Sequence, residues 1–250
     1  MSGISPVLPA SVSEVVARVA TVPGVVAVAL GGSRARGTER PDSDWDLGLY
    51  YRDGIDTDAI RALGYEGTVV APGDWGRIVN GGAWLTVEGV RVDLLYRDLD
   101  VVEHWLVEAE AGRFEVDYLP NHVAGLPTYT LAGELAQNIT LHGVLPLPAF
   151  PAALRQRAPL WWEAHAAFIF SVLEGYAARG EGALCAALLA RAVVSIAHAR
   201  LASAGEWVLN EKGLIGRANL GDAAAPLAAL GGTPRELRAA VAAVRHSLGM

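Results

Sequence analysis

The sequence predicts an α/β domain with a mixed sheet, followed by an antiparallel helical bundle. Three observations carry this. Up to about residue 125, short apolar runs alternate with amphipathic stretches, as when strands and helices share one sheet. Around residues 120–127 the composition turns to Pro, Gly and Asn, which marks a linker. Beyond it the apolar residues recur at helical spacing over long segments. The expected domains are therefore 1–125 and 126–250.

The elements follow in order. Residues 11–20 form an amphipathic helix with Ser11 or Ser13 as its N-cap. VVAVAL at 25–30 and WDLGLYY at 45–51 are strands. Residues 56–63 are helical and 68–71 make a short strand. Residues 83–87 and 90–96 form a hairpin across Glu88-Gly89. Residues 99–110 are a helix, and 114–118 add an edge strand. The helical part begins at 131–139 and is interrupted by the proline-rich stretch 146–151. It resumes as helices over 161–178 and 183–203, the latter with Leu184, Leu188, Val193 and Ile196 at apolar positions. A third helix starts near Asn210. The last spans 234–247, with Thr233 as N-cap and Pro234 at the first helical position. Residues 223–229 are loop or helix, and no repeat is visible.

Composition narrows the function classes. The chain has 250 residues, 52% of them hydrophobic, and a net charge of −7. No run of 18 uncharged apolar residues appears, so no membrane span is expected. The start, MSGISPVLPASVSEVV, lacks a basic segment before an apolar core, so no signal peptide is expected and the location implied is cytoplasmic. The one cysteine, Cys185, lies in an apolar helical pattern and reads as a small buried hydrophobe. No basic stripe meets nucleic acid. The acidic balance favours a small substrate, including a cationic one, or a protein.

The chemistry concentrates in residues 30–51, LGGSRARGTERPDSDWDLGLYY. Alternate strand residues face the same way, so Asp44 and Asp46 project together while Trp45 and Leu47 turn to the other side. Two carboxylates so close repel unless a cation lies between them. Oxygen ligands of this kind suit Mg²⁺ with substrate phosphates. Gly31 and Gly32 let the backbone approach a ligand closely, and Ser33 offers a hydroxyl and an amide there. Arg34, Arg36 and Arg40 follow as phosphate partners or as a solvated loop face. Downstream, VRVDLLY at 90–96 carries Asp93 inside an apolar run, costly unless paired or metal-bound.

Apolar strand, Gly-Gly-Ser, spacer, Asp-x-Asp and a third strand carboxylate together resemble the signature of the DNA polymerase β-type nucleotidyltransferases. The resemblance implies two Mg²⁺ ions held by Asp44, Asp46 and Asp93, ATP as substrate, and Gly32, Ser33 and Arg34 on the nucleotide. With the helical part, the chain is similar to the antibiotic adenylyltransferases that modify streptomycin and spectinomycin. Gly180-Glu181-Gly182, the run from Leu188 to Arg191, and residues 207–212 resemble that family's acidic turn, arginine helix and lysine-bearing helix start. Arg191 and Lys212 are thereby candidates for the triphosphate. Lys212 stands out independently as the only lysine among 20 basic residues, and Asn210 before it is placed to cap a helix.

The function implied is transfer of AMP from ATP to a hydroxyl of a small acceptor, with Asp93 as the proton acceptor. The related antibiotic enzymes often carry Glu near that position. Glu163 and Glu174 lie about three helical turns apart on one face, with Glu181 at the helix end, and form an acidic surface for a cationic acceptor such as an aminoglycoside, or a solvated face. Trp84, Trp105 and Trp162 could stack on a sugar ring, with core packing the default for each, and a structural role is the default for His198. The alternative is an AMP-transferase or antitoxin-like enzyme acting on a protein. A module that holds ATP without transferring it ranks last, because all three carboxylates are present.

Overall fold

The computed structural model describes residues 7–250. The leader-free reading of the first sixteen residues falls partly on residues 1–6, outside the described residues. In chain order the structure runs α1 (Ala10–Val19), β1 (Val25–Leu30), α2 (Gly32–Ala35), β2 (Trp45–Tyr51), α3 (Thr57–Arg61), β3 (Glu66–Val69), β4 (Gly82–Val87), β5 (Val90–Asp98) and α4 (Leu99–Glu110). The short strands β6 (Val116–Asp117) and β7 (Leu126–Pro127) follow, then α5 (Thr130–Gln137) and β8 (Ile139–His142). The rest is helical: α6 (Ala152–Ala178), α7 (Gly182–Ala204), α8 (Leu214–Arg217), α9 (Gly221–Ala224), a 3₁₀ segment at Ala225–Ala229, and α10 (Pro234–Ser247). A mixed sheet followed by a helical region is thus the architecture.

The chain divides into two compact units. One comprises residues 7–107 with Leu131–Ala149, the other Glu108–Thr130 with Phe150–Met250. The first unit is built on a six-stranded sheet in the order β3-β4-β5-β2-β1-β8. Only β2 and β5 pair in parallel; the other neighbours are antiparallel. Alternation decides the faces. Leu47, Leu49, Leu85, Val92 and Leu94 are buried in one core with Val12, Val15 and Val19 of α1. The opposite face carries Asp46, Trp84 and Asp93. Towards the other end of the strands, that face meets α5, where Glu134 accepts two hydrogen bonds from Arg97, at 2.5 and 2.7 Å. Burial alone would lower the Arg97 guanidinium's proton affinity, and the Glu134 carboxylate holds it up.

Three expectations need correcting. The segment 114–118 is no edge of the main sheet, because β6 pairs only with β7 in a separate ribbon. The edge beside β1 is instead supplied by β8, which begins where the helix expected over 131–139 ends and was given no strand. The α1 hydroxyl cap does not form, since Ser11 and Ser13 already lie inside a helix that starts after Pro9. By contrast, Asp56 caps α3, accepting from the amides of Asp58 and Ala59.

In the second unit, α6 packs along α7 and α10 packs against α6. α6 begins nine residues before the expected start and carries Pro159 within it. An interior proline removes a backbone hydrogen bond. Burial of Leu154, Pro159 and Trp162 along the same helix offsets that loss. α10 opens with a capping box between Thr233 and Glu236. α7 is the one described helix long and apolar enough, by length and composition, to cross a membrane, and over half of its most apolar stretch is buried inside the protein. Cys185 lies in it, buried and unpaired.

His198 of α7 is buried and stacks on Trp162, with ring centroids 4.3 Å apart and planes 13° from parallel. Burial pushes its pKa from 6.5 down to about 3, with the positive charges of His122 and Arg217 adding to the effect. A depressed histidine pKa means that the unfolded chain binds the proton first. The stability present above about pH 6.5 is therefore lost as the pH falls towards 3, by roughly 5 kcal/mol in all. Urea melts across this range should show that slope, and His198→Phe, which keeps a ring against Trp162, should flatten it. A wild-type slope unchanged in the variant would assign the acid sensitivity to other groups.

Candidate active site

The site is built where β1 turns into β2. The amide of Gly31 donates to the carbonyl of Asp46, at 2.8 Å, which draws the Gly-Gly turn against the start of β2. Gly32 has φ of +63°, and a Cβ there would lie 1.7 Å from Asp46 Oδ2. Only glycine fits both the left-handed backbone and that approach. Ser33 follows in the four-residue α2, too short to add a helix dipole; what it brings beside Asp46 is backbone amides.

Asp46 stands in register with Asp93 on the parallel neighbour β5. The two carboxylates share a face on adjacent strands, about 4.8 Å apart in the sheet direction. Asp44 lies just before β2. Its Oδ1 is buried and 2.6 Å from Arg91 Nε, an ion pair without the alignment of a hydrogen bond. Arg91 precedes Asp93 by two residues on β5, so it shares the face, and it also donates to the Asp42 carbonyl. Arg34 donates to the carbonyls of Ser43 (2.6 Å) and Asp44 (3.1 Å) and lies over the Trp45 ring at 4.2 Å. It therefore shapes the turn that presents Asp44, and any phosphate contact would share its guanidinium with those carbonyls.

One residue of the site escaped the sequence reading, and the default for another fails. Arg91 had a usable signal, its spacing of two from Asp93 in a strand. Trp84, given to the core, is instead 52% exposed and pairs across the hairpin with Asp93. Trp162 is fully buried, as expected. Among the described residues, no three His, Cys, Asp or Glu side chains are gathered as a ready metal site. A divalent cation nevertheless fits the donor set: hard carboxylate oxygens on one face, one of them buried and without a hydrogen bond.

The remaining candidates all belong to the second unit. Arg191 is half-buried, with its guanidinium over the Tyr118 ring at 4.7 Å and its Nε buried without a hydrogen-bond partner. Burial and the nearby Arg191 charge push the His165 pKa down, and that ring stacks on Trp161. Lys212 is exposed. Its amide donates to Asn210 Oδ1, but this forms an isolated turn, because α8 starts only after the left-handed Gly213. Glu211, also missed, anchors the β6–β7 connection by accepting from the amides of Val123 and Ala124. Of the acidic set, Glu174 pairs with Arg238 and Glu181 with Arg179. Glu163 lines a cavity that also contains Arg200 and Arg245. Two of the three carboxylates are thus already offset by arginine.

The family model of the nucleotidyltransferase domain matches residues 12–107, from α1 into α4. Residues 12–107 are therefore similar to nucleotidyltransferase domains. The match contains Gly32, Asp44, Asp46 and Asp93 and stops before α5 and β8. A nucleotidyltransferase-like protein from Exiguobacterium sibiricum, solved at 1.90 Å, is similar at 15% identity with a TM-score of 0.43, covering 95% of this chain and 71% of that one. No protein of curated function matches the chain.

Proposed function

We propose that this chain is a nucleotidyltransferase that moves AMP from ATP to a hydroxyl of a small acceptor and releases pyrophosphate. The observation that carries the reading is the register of Asp46 with Asp93, with Gly32 pressed against Asp46 and Asp44 two residues before it. Asp44, Asp46 and Asp93 would hold Mg²⁺, which when bound offsets the charge on the phosphate oxygens. The amides around Ser33 bind phosphate oxygens next to Asp46. Asp93 takes the proton of the acceptor hydroxyl as its oxygen bonds to the α-phosphorus and the bond to the β-phosphate oxygen breaks. Arg91, paired with Asp44 on the face that carries Asp93, would be the nearest arginine to a phosphate there. Arg191, with an unsatisfied buried Nε, and Lys212 serve the distal phosphates. Glu163, Glu174 and Glu181 form the surface for a cationic acceptor.

The test is pyrophosphate release from labelled ATP and Mg²⁺ across a panel of hydroxyl acceptors, with and without protein extracts. Acceptor-dependent release that is lost in Asp46→Asn supports the reading. Release only with a protein acceptor would turn it towards protein modification, and no release with any acceptor would overturn it.

Lys212 gives a second check. Lys212→Ala should raise the Kd of Mg·ATP roughly tenfold, the loss of one charged hydrogen bond. Lys212→Arg should restore part, since a guanidinium fork replaces a point charge. AMP, without distal phosphates, should bind both proteins nearly alike. Calorimetric titration of each ligand decides; equal losses for AMP and ATP would move Lys212 away from the β- and γ-phosphates.

A further inference from the structure

The two glycines of the turn answer different constraints. Gly32 has the left-handed backbone and the close approach of Asp46 described above. Gly31 has φ of −116° and ψ of −155°, an extended backbone that other residues also adopt. What restricts it is the space beside it. A Cβ on Gly31 would lie 3.1, 3.6 and 3.7 Å from Oδ1, Cγ and Nδ2 of Asn138. The whole carboxamide therefore lies against the Gly31 backbone, and the shortest of these distances is inside ordinary van der Waals contact.

Asn138 comes there by register. β8 begins at Ile139, which pairs with Leu30 at the end of β1. The strands are antiparallel, so the next residues along, Asn138 and Gly31, also lie opposite each other. Asn138 is held at two points. Its backbone amide donates to the Glu134 carbonyl at 2.8 Å, which closes α5. Its Nδ2 donates to the Tyr50 hydroxyl at 3.2 Å. The Tyr50 ring is buried and lies over Gly48, where a Cβ would come within 3.0 Å of Cε2. Gly48 and Tyr50 follow Asp46 at steps of two on β2 and share its face. All of these residues belong to the first unit, and Asn138 lies beyond the stretch matched by the family model.

We infer that Asn138 is a positioning residue for the nucleotide: anchored on Tyr50, its carboxamide walls one side of the Gly-Gly turn and fixes the amides of Gly32 and Ser33 beside Asp46. This rests on the transfer reading above, in which those amides take phosphate oxygens. Two consecutive glycines would otherwise leave the turn many conformations. A turn ordered only by its ligand takes that ordering out of the binding free energy. Asn138 acts through the turn and not on the reacting atoms. Its loss should therefore raise the KM for Mg·ATP and leave kcat nearly unchanged.

The test uses the full chain and two readouts. The first is amide hydrogen exchange without nucleotide, read residue by residue by NMR. In Asn138→Ala, exchange at Gly31, whose amide donates to Asp46, should be at least about tenfold faster than in wild type. The amides of β5 should keep their rates, which separates a loosened turn from general unfolding. Asn138→Asp keeps the size, and its carboxylate accepts from the Tyr50 hydroxyl, so exchange at Gly31 should stay as in wild type. The second readout is the Kd of Mg·ATP by calorimetry, which should rise about five- to tenfold in Asn138→Ala. A double-mutant cycle with Gly31→Ala tests the contact itself. Beside Asn138 the added methyl meets Oδ1, and the Kd should rise about fivefold or more; in Asn138→Ala the space is open, and the same methyl should change it less than about twofold. Unchanged exchange at Gly31 in Asn138→Ala, or effects of the two substitutions that simply multiply, overturns the inference. Faster exchange spread evenly over the sheet also overturns it, by making Asn138 a residue of general stability. Failure of the transfer reading is seen separately: wild type would then not bind Mg·ATP, while exchange at Gly31 still decides whether Asn138 holds the turn.

Discussion

Asp46→Asn should cut nucleotidyl transfer by at least about a hundredfold while the protein stays folded. A hundredfold is roughly 3 kcal/mol of transition-state stabilisation, a modest share for a carboxylate that helps hold the cation at the reacting phosphate. Asparagine keeps the size of the side chain and therefore the packing against Gly32, but removes the charge. The melting temperature should shift by less than about 4 °C, the change expected for under 1 kcal/mol. Asp44→Asn should lose activity similarly, and it also removes the ionic partner of Arg91. The measurements are initial rates of pyrophosphate release and a thermal melt on the same samples. Near-wild-type rates in Asp46→Asn would remove the carboxylate row from the mechanism.

The second large effect falls on stability. Arg97 and Glu134 form a bidentate pair with side chains only 2% and 16% exposed, joining β5 to α5. Glu134→Gln leaves the Arg97 charge buried with a neutral partner and should cost roughly 3–5 kcal/mol. Burial and the Glu134 charge also push the nearby Tyr50 phenol up, so it remains neutral and keeps its contact with Asn138. Replacing both partners by apolar residues, Arg97→Met with Glu134→Leu, should recover much of the loss, because no charge is then left in the interior. Chemical denaturation of the three proteins measures this. A double variant as unstable as Glu134→Gln would mean that the pair contributes shape or contacts beyond its charge balance.

Both effects rest on features that differ in how well the sequence displayed them. β2 begins and ends where its apolar alternation does, and α10 where Thr233 and Pro234 signal. The Asp-x-Asp pair and the Gly-Gly turn were legible because strand periodicity and glycine chemistry act locally. Asp93 was legible as a charge in an apolar run. β8 was not, because ITLH is four residues long and follows a helical pattern; only its pairing with β1 makes it a strand. The first turns of α6 were hidden by Pro159, whose local cost is overridden by burial along the helix. Trp84 was misjudged because residue type favours the core, while the face it occupies is set by the register of β4 with β5. Arg91 and Glu211 act through distant partners, Asp44 and the amides of Val123 and Ala124, which no local pattern announces.

The lateness of β8 bears on how the molecule comes into being. Residues 108–130, which belong to the second unit, are translated before the first unit has received its last strand. At about 5–20 residues per second, the stretch from the end of β5 to the end of β8 takes roughly 2–9 s to synthesise. During that interval the nascent sheet has β1 as a bare border, with unpaired amides and carbonyls open to any passing strand. Arg97 waits less long for its counter-ion, since Glu134 precedes β8. The stretch that resembles a nucleotidyltransferase domain, residues 12–107, is therefore an incomplete folding unit, and its maturation is timed by the arrival of a four-residue segment from beyond the intervening ribbon.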